Sequence, residues 1–336
     1  MNARARIATF LLVHFWLRGA SAADSSLVPN IFAPESTPAG SIRHVSLLVL
    51  GICAAIFAVV CWLIAYSAFR FRRRASDDDT EPPQVYGSNP LETAWTTVPL
   101  LIVVVLSLST ARVIHEIQDA PMPASALNVE VIGHQWWWEI HYPKLGIVTA
   151  NELHVPVSTV TGIELRSADV VHSFWVPRLA GKTDLYPNKV NKTWVQPTRT
   201  GLFLGQCAAY CGTQHALMLL RVYVHTPEEF ERWANEQHAI ATVGPSVAPG
   251  RLVFERTACI SCHALNGTVG NGRFGPDLTH LMSRYTLGSC ILTNTPENLR
   301  AWIKNPNQFK PGVLMPAMNL TDAELDQLVA YLATLK

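Results

Sequence analysis

Charge is scarce in this chain. Asp, Glu, Lys and Arg make up 15% of its 336 residues and nearly cancel, leaving a formal net charge of +1. So small a positive excess argues against a nucleic acid as the main partner. The seven cysteines do not form a disulfide framework: four fall in two short motifs, Cys53 and Cys61 lie in an apolar run, and Cys290 stands alone. Those last three read as small buried or free thiols. After the C-x-x-C at Cys259, no second C-x-x-C and no H-x-x-x-H follows, which argues against a closed zinc site. What the chain has in quantity is apolar residues, 49% of the total, and enough length for two or three domains.

The apolar residues come in blocks. Arg4 and Arg6 precede a short run from Ile7 to Leu17, and Ala20-Ser21-Ala22 has the A-x-A form of a cleavage site. This predicts an export signal over residues 1–22, although His14 and Arg18 make it imperfect. Val45 to Phe69 carries no charge, and Thr93 to Ala111 is apolar or hydroxylic throughout. Both are long enough to cross a bilayer, so residues 23–115 are expected to form a transmembrane hairpin. Arg70, Arg72, Arg73 and Arg74 sit between the spans. Because Lys and Arg collect on the cytoplasmic side, everything after Arg112 is expected on the outer, periplasmic face of the inner membrane.

Residues 126–237 read differently. Leu127, Val129 and Val131 alternate with Asn128 and Glu130, and Leu217 to Val224 is rich in strand formers, which predicts a small β-sandwich. Thr226, Pro227 and Glu229 then form a capping box that opens a trailing helix to about Gln237. Residues 239–249 contain Gly, Pro and Ala and read as a linker. Residues 250–336 are helical by their signals. Thr295-Pro296 starts one helix with Leu299, Trp302 and Ile303 turned inward, and Thr321 with Glu324 caps another whose Leu325, Leu328, Val329 and Leu332 form one stripe.

Two motifs carry chemistry. The first runs Gly205-Gln206-Cys207-Ala208-Ala209-Tyr210-Cys211-Gly212-Thr213-Gln214-His215-Ala216-Leu217-Met218. Two thiols, an imidazole and a thioether favour copper over magnesium, calcium or manganese, because sulfur ligands are soft. The competing reading is a disulfide between Cys207 and Cys211, which would need neither His215 nor Met218 at those offsets. The second motif is Cys259-Ile260-Ser261-Cys262-His263, the C-x-x-C-H of covalent c-type haem attachment, with His263 placed to bind iron from one side. Cytochromes c use Met on the other side. Met315, in Lys310-Pro311-Gly312-Val313-Leu314-Met315-Pro316, is the first choice, with Met318 as the alternative. Gly275-Pro276-Asp277-Leu278 reads either as an ordinary turn or as the source of a proline carbonyl that accepts a bond from the haem-binding histidine.

The copper loop, with Val170-Val171-His172-Ser173-Phe174-Trp175 upstream, resembles the CuA segments of cytochrome c oxidase subunit II. Gly133-His134-Gln135-Trp136-Trp137-Trp138 and Glu92-Thr93-Ala94-Trp95-Thr96 are similar to two further family segments. With a fused C-terminal cytochrome c, the order is that of subunit II in caa3-type oxidases. The resemblance implies a multidomain chain: a two-helix transmembrane hairpin, a cupredoxin-like β-sandwich and an all-α class I cytochrome c domain. It implies two coppers bridged by Cys207 and Cys211, with His172, His215, Met218 and the backbone carbonyl of Ala209 completing the set. It further implies electron delivery from cytochrome c through haem c and CuA to haem a of subunit I, where O2 is reduced to water and protons are translocated. Subunit I and other oxidase subunits are therefore expected partners. Trp136 would lie where electrons arrive from cytochrome c, and Glu92 at the mouth of a proton pathway. The plainer readings are packing for the tryptophans and a helix-start carboxylate for Glu92.

There are departures. Family members usually carry Glu where this chain has Ala209, so the side-chain ligand of a magnesium shared with subunit I is missing. Asn188-Lys189 replaces a commoner Gly-Arg. The chain also lacks the cluster of membrane histidines that an O2-reducing site needs. Two other functions stay in view: nitrous oxide reductase, which shares the copper loop but would not need the hairpin or the cytochrome, and a tethered copper carrier, which would not need covalent haem.

Overall fold

A computed structural model describes residues 28–73, 84, 86–239 and 244–336. The export signal expected over residues 1–22 lies outside the described residues. Helices α1 (Thr37–Arg70) and α2 (Asn89–Gln118) form the hairpin. Each outruns its apolar run because the uncharged window marks only the lipid-facing stretch. Thr37-Pro38 and Asn89-Pro90 start helices that continue into polar flanks. Their apolar side chains, including Phe57, Trp62, Leu101 and Leu108, are exposed, as expected of surfaces that meet lipid or partner helices.

Ten strands follow: β1 (Leu127–His134), β2 (Trp137–Tyr142), β3 (Ile147–Ala150), β4 (Glu152–Pro156), β5 (Thr161–Ser167), β6 (His172–Trp175), β7 (Thr183–Leu185), β8 (Asn191–Val195), β9 (Gly201–Cys207) and β10 (Leu219–His225). They form two five-stranded sheets, ordered β3-β2-β1-β5-β8 and β4-β10-β9-β6-β7. Alternation in β1 buries Val129 and Val131 against Trp138, Ile140, Ile163, Phe174, Phe203 and Val222 between the sheets. Asn188, in place of glycine, has φ +61°, a left-handed conformation that Asn tolerates better than most residues.

Strand β4 is buried along its whole length. One reason is helix α3 (Pro227–Glu236), opened by the Thr226–Glu229 capping box, whose Trp233 stacks on His154 with ring centroids 4.2 Å apart. The other is the C-terminal domain, which covers Glu152. That domain contains α4 (Ala248–Arg256), the single turn α5 (Cys259–Cys262), a small ribbon of β11 (Thr286–Leu287) and β12 (Leu292–Thr293), α6 (Pro296–Lys304) and α7 (Asp322–Leu332). Helix α4 begins two residues before Gly250, so the end of the expected linker is already helical; residues 240–243 lie outside the described residues. Val253, Phe254, Leu299, Ile303, Leu325, Leu328 and Leu332 form this domain's core.

Candidate copper and haem sites

The copper ligands are supplied by the ends of neighbouring strands. β6 begins with His172 and β9 ends with Cys207, and the two strands pair at Phe174–Cys207. The loop then runs through Cys211 and a 3₁₀ turn at His215–Leu217 to Met218, just before β10. His172 Nδ1 is 4.0 Å from Cys207 Sγ, and Cys211 Sγ is 3.8 Å from Cys207 Sγ, 3.6 Å from His215 Nδ1 and 3.9 Å from Met218 Sδ. The Ala209 carbonyl oxygen lies 3.2 Å from Cys207 Sγ. Both thiols are free, so the disulfide reading gives way to an open pair of sulfurs. His172, Ala209, His215 and Met218 thus each lie within 4.0 Å of one of the two sulfurs, and a set of two thiolates, two imidazoles and a thioether fits copper.

Electrostatics favour loss of one proton from the cysteine pair. The hydrogen bond shared with Cys211, together with the His172 imidazole and backbone amides, outweighs burial and brings the Cys207 thiol down to about 3, while Cys211 is pushed up. Sequence reasoning missed Asp169. Its carboxylate accepts from His172 Nε2 at 2.8 Å and from the amides of Val170 and Gln135, each at 2.6 Å. That bond leaves Nδ1 aimed at the sulfurs and fixes the ring, as carboxylates do behind metal-binding histidines. Gly133 closes the other side: a Cβ there would come within 2.8 Å of the His172 ring. An Asp three residues before a candidate His was the available signal.

The haem motif lies on one wall of an apolar cleft with about 1370 Å³ of space, its open mouth included. His263 Nδ1 donates to the Pro276 carbonyl at 2.7 Å, which settles the two readings of Gly275-Pro276 and leaves Nε2 as the free ring nitrogen. Burial lowers the His263 pKa, keeping the imidazole neutral and able to bind a metal. A Cβ on Gly275 would stand 2.5 Å from this ring. Met315 and Met318 both line the cleft, and Met315 also packs against the domain core. Cysteines, a braced imidazole and thioethers around an apolar slot fit a covalent haem.

Trp136 belongs to both sites. It lines the cleft, and its indole Nε1 donates to the Cys211 carbonyl at 2.9 Å. Glu92 is remote from both sites: it occupies the first turn of α2, where Oε1 accepts from the Ser88 amide at 3.3 Å. Cys290 is buried against the Asn151 carbonyl, and burial pushes its thiol up to about 12. A buried thiol held protonated in this way is unreactive.

Comparison with known proteins gives the same three parts in the same order. The family profile for the cytochrome c oxidase subunit II transmembrane domain matches residues 30–113, that for its periplasmic domain residues 145–224, and that for cytochrome c residues 247–336. Cytochrome c oxidase subunit 2 of Alkalihalophilus pseudofirmus is 35% identical over 292 residues, covering 85% of this chain and 84% of that protein. This chain belongs to the cytochrome c oxidase subunit II family. Subunit 2 of Bacillus sp. PS3 is 32% identical, covering 79% of this chain and 80% of that protein. The solved periplasmic domain of subunit II from Bradyrhizobium japonicum is 31% identical, covering 35% of this chain and 96% of that one, with a TM-score of 0.34. The chain is thus a membrane-anchored oxidase subunit with a CuA-type copper domain and a haem c domain, and the two rival functions fall away.

Proposed function

We propose that this subunit carries electrons from an external cytochrome c through its own haem c to a two-copper CuA centre, and on to haem a of subunit I for O2 reduction coupled to proton translocation. In this reading Cys259 and Cys262 would hold the haem covalently, and His263 and Met315 would supply the side chains that bind its iron. His172, Cys207, Cys211, His215, Met218 and the Ala209 carbonyl hold copper. When bound, these groups supply one-electron redox chemistry. The chain's own residues do the rest. Asp169 and Pro276 orient the two imidazoles, the sandwich core excludes water from Cys207 and Met218, and the hairpin anchors both domains at the membrane's outer face.

The observation that carries this reading is Trp136, which lines the haem cleft while its indole is bonded to the backbone of Cys211. The fused cytochrome domain packs against Trp136, with Ser289 and Lys310 bonded to its carbonyl, which supports entry of the donor's electron at haem c. The test is metal and haem analysis with optical and EPR spectra of residues 121–336 after copper reconstitution. One covalent haem with two coppers sharing an unpaired electron is the expected result. A single copper, or none, with an intact Cys207–Cys211 disulfide would overturn it. The proton role of Glu92 is tested by steady-state turnover of Glu92→Gln: a fall at full assembly supports it, and an unchanged rate leaves Glu92 as a helix-start carboxylate.

A further inference from the structure

Lys310 is a buried cation, 3% exposed, that forms no ion pair among the described residues. Its ammonium donates to the Trp136 carbonyl at 2.7 Å and to Ser289 Oγ at 3.1 Å, and the Ser289 hydroxyl donates to the same carbonyl at 2.8 Å. Burial pulls its pKa down to about 8. A buried ammonium without a counter-ion is expensive, and an apolar side chain of similar length would cost less. Its place in the fold suggests what the ammonium does.

Lys310 opens the loop that reaches Met315 five residues later, so it belongs to the haem side. Its side chain holds Trp136, whose ring is bonded to Cys211. Its backbone carbonyl, with that of Pro311, accepts both amide protons of Gln214 at 2.9 Å, and Gln214 precedes His215. Gly312 lies against Thr213, where an added Cβ would come within 3.3 Å of the threonine methyl. The methionine loop of one centre is therefore clamped to the ligand loop of the other at two points, and both clamps pass through one residue.

We propose that Lys310 is a positioning residue that locks the Met315 loop onto the copper loop and so sets the rate of electron transfer between the two centres. The step is a one-electron exchange: the haem iron loses one electron, the copper centre gains it, and no proton or further reactant is needed. The proposal rests on the relay reading above.

The test uses the full chain in the assembled oxidase, with Lys310→Met and Lys310→Arg. Haem c is reduced by a flash-activated photoreductant and copper reduction is followed optically. Amide hydrogen exchange is read at residues 211–215 and 306–315, and haem c reduction by reduced cytochrome c is timed separately. In Lys310→Met the haem-to-copper rate is expected to fall severalfold, because loosening the two loops lengthens and disorders the path between the centres. Exchange should rise in both loops, the donor-to-haem rate should stay as in wild type, and Lys310→Arg should recover part of the lost rate. A haem-to-copper rate and loop exchange unchanged in a fully loaded Lys310→Met overturn the proposal. Should that variant fail to load, Ser289→Ala takes its place. A slower haem-to-copper rate with haem and copper present supports the clamp, and an unchanged one overturns it. Wild type without covalent haem or copper would instead sink the relay reading itself.

Discussion

The two candidate centres use the same second layer but are completed in different ways. At each, an imidazole is braced by an oxygen acceptor on one ring nitrogen, Asp169 for His172 and the Pro276 carbonyl for His263. At each, a glycine lies against the ring, Gly133 or Gly275, where a Cβ would collide. The copper donors, however, already converge: the ligand atoms of His172, Cys207 and Cys211 lie within 4.8 Å of one another at the end of a closed sandwich. The haem site is an open cleft with His263 on one wall and the methionines of another loop among its lining residues. A preformed metal site needs little ordering when its ion arrives, whereas a cleft around an absent group leaves apolar walls that only the group can cover. The copper domain should therefore survive loss of its metal better than the haem domain survives loss of haem.

The sharpest way to break that contrast is to remove each group genetically. Replacing Cys259 and Cys262 by Ser should prevent covalent haem attachment and cost the C-terminal domain most of its stability, seen as loss of its separate thermal transition. The sandwich transition should remain. Cys207→Ser should abolish the CuA signal while the sandwich still melts cooperatively, with haem still attached. If the two domains responded alike, the distinction between a preformed and a completed site would be wrong. A smaller effect is expected from Asp169→Asn, which keeps the shape but weakens the bond to His172 Nε2. Copper affinity should fall by about 10- to 100-fold, as it does when other carboxylates behind metal-bound histidines are changed. Competition with a chelator measures it, and haem content serves as the control.

The same contrast explains what the sequence could disclose. Motifs whose ligands are close in the chain were legible: the Cys207–Met218 loop, C-x-x-C-H, and the capping boxes at Thr226 and Thr321, both present with their reciprocal bonds. The apolar runs gave the two long helices, though not their ends, because a helix continues past the residues that face lipid. What stayed hidden depends on tertiary approach. Asp169 is an ordinary loop aspartate until β6 turns His172 back toward it. Lys310 looks like any loop lysine until the two domains close over it. Glu152 is a carboxylate with no motif around it, yet it is fully buried, accepting from Thr286 Oγ1 at 2.5 Å and the Tyr285 amide at 3.0 Å across the domain boundary. No periodicity reports a surface that is covered by a different domain.

The smallest effect concerns the outer face of the copper domain. There Glu139 Oε2 accepts from His134 Nε2 at 2.8 Å and Oε1 from His141 Nε2 at 2.7 Å. Burial opposes its charge, but the two imidazole hydrogen bonds outweigh burial and bring the carboxyl from its ordinary 4.5 down to about 2. A depressed carboxylate pKa stabilises the fold above the unfolded value and loses that contribution as pH falls toward 2. His141 behaves in the opposite sense. The bond to Glu139 raises its pKa above 6.5, so its contribution is full below 6.5 and fades as pH rises through the folded value. Together they predict the greatest benefit between about pH 4.5 and 6.5. Glu139 is 17% exposed, and its shift corresponds to about 3 kcal/mol as an upper bound. Glu139→Gln should therefore destabilise the sandwich by about 1–3 kcal/mol near pH 5.5, and the gap from wild type should narrow toward pH 3 and again above neutrality. Calorimetric melting across that pH range measures it. A gap that stayed constant with pH would mean that Glu139 contributes packing and neutral hydrogen bonding rather than charge.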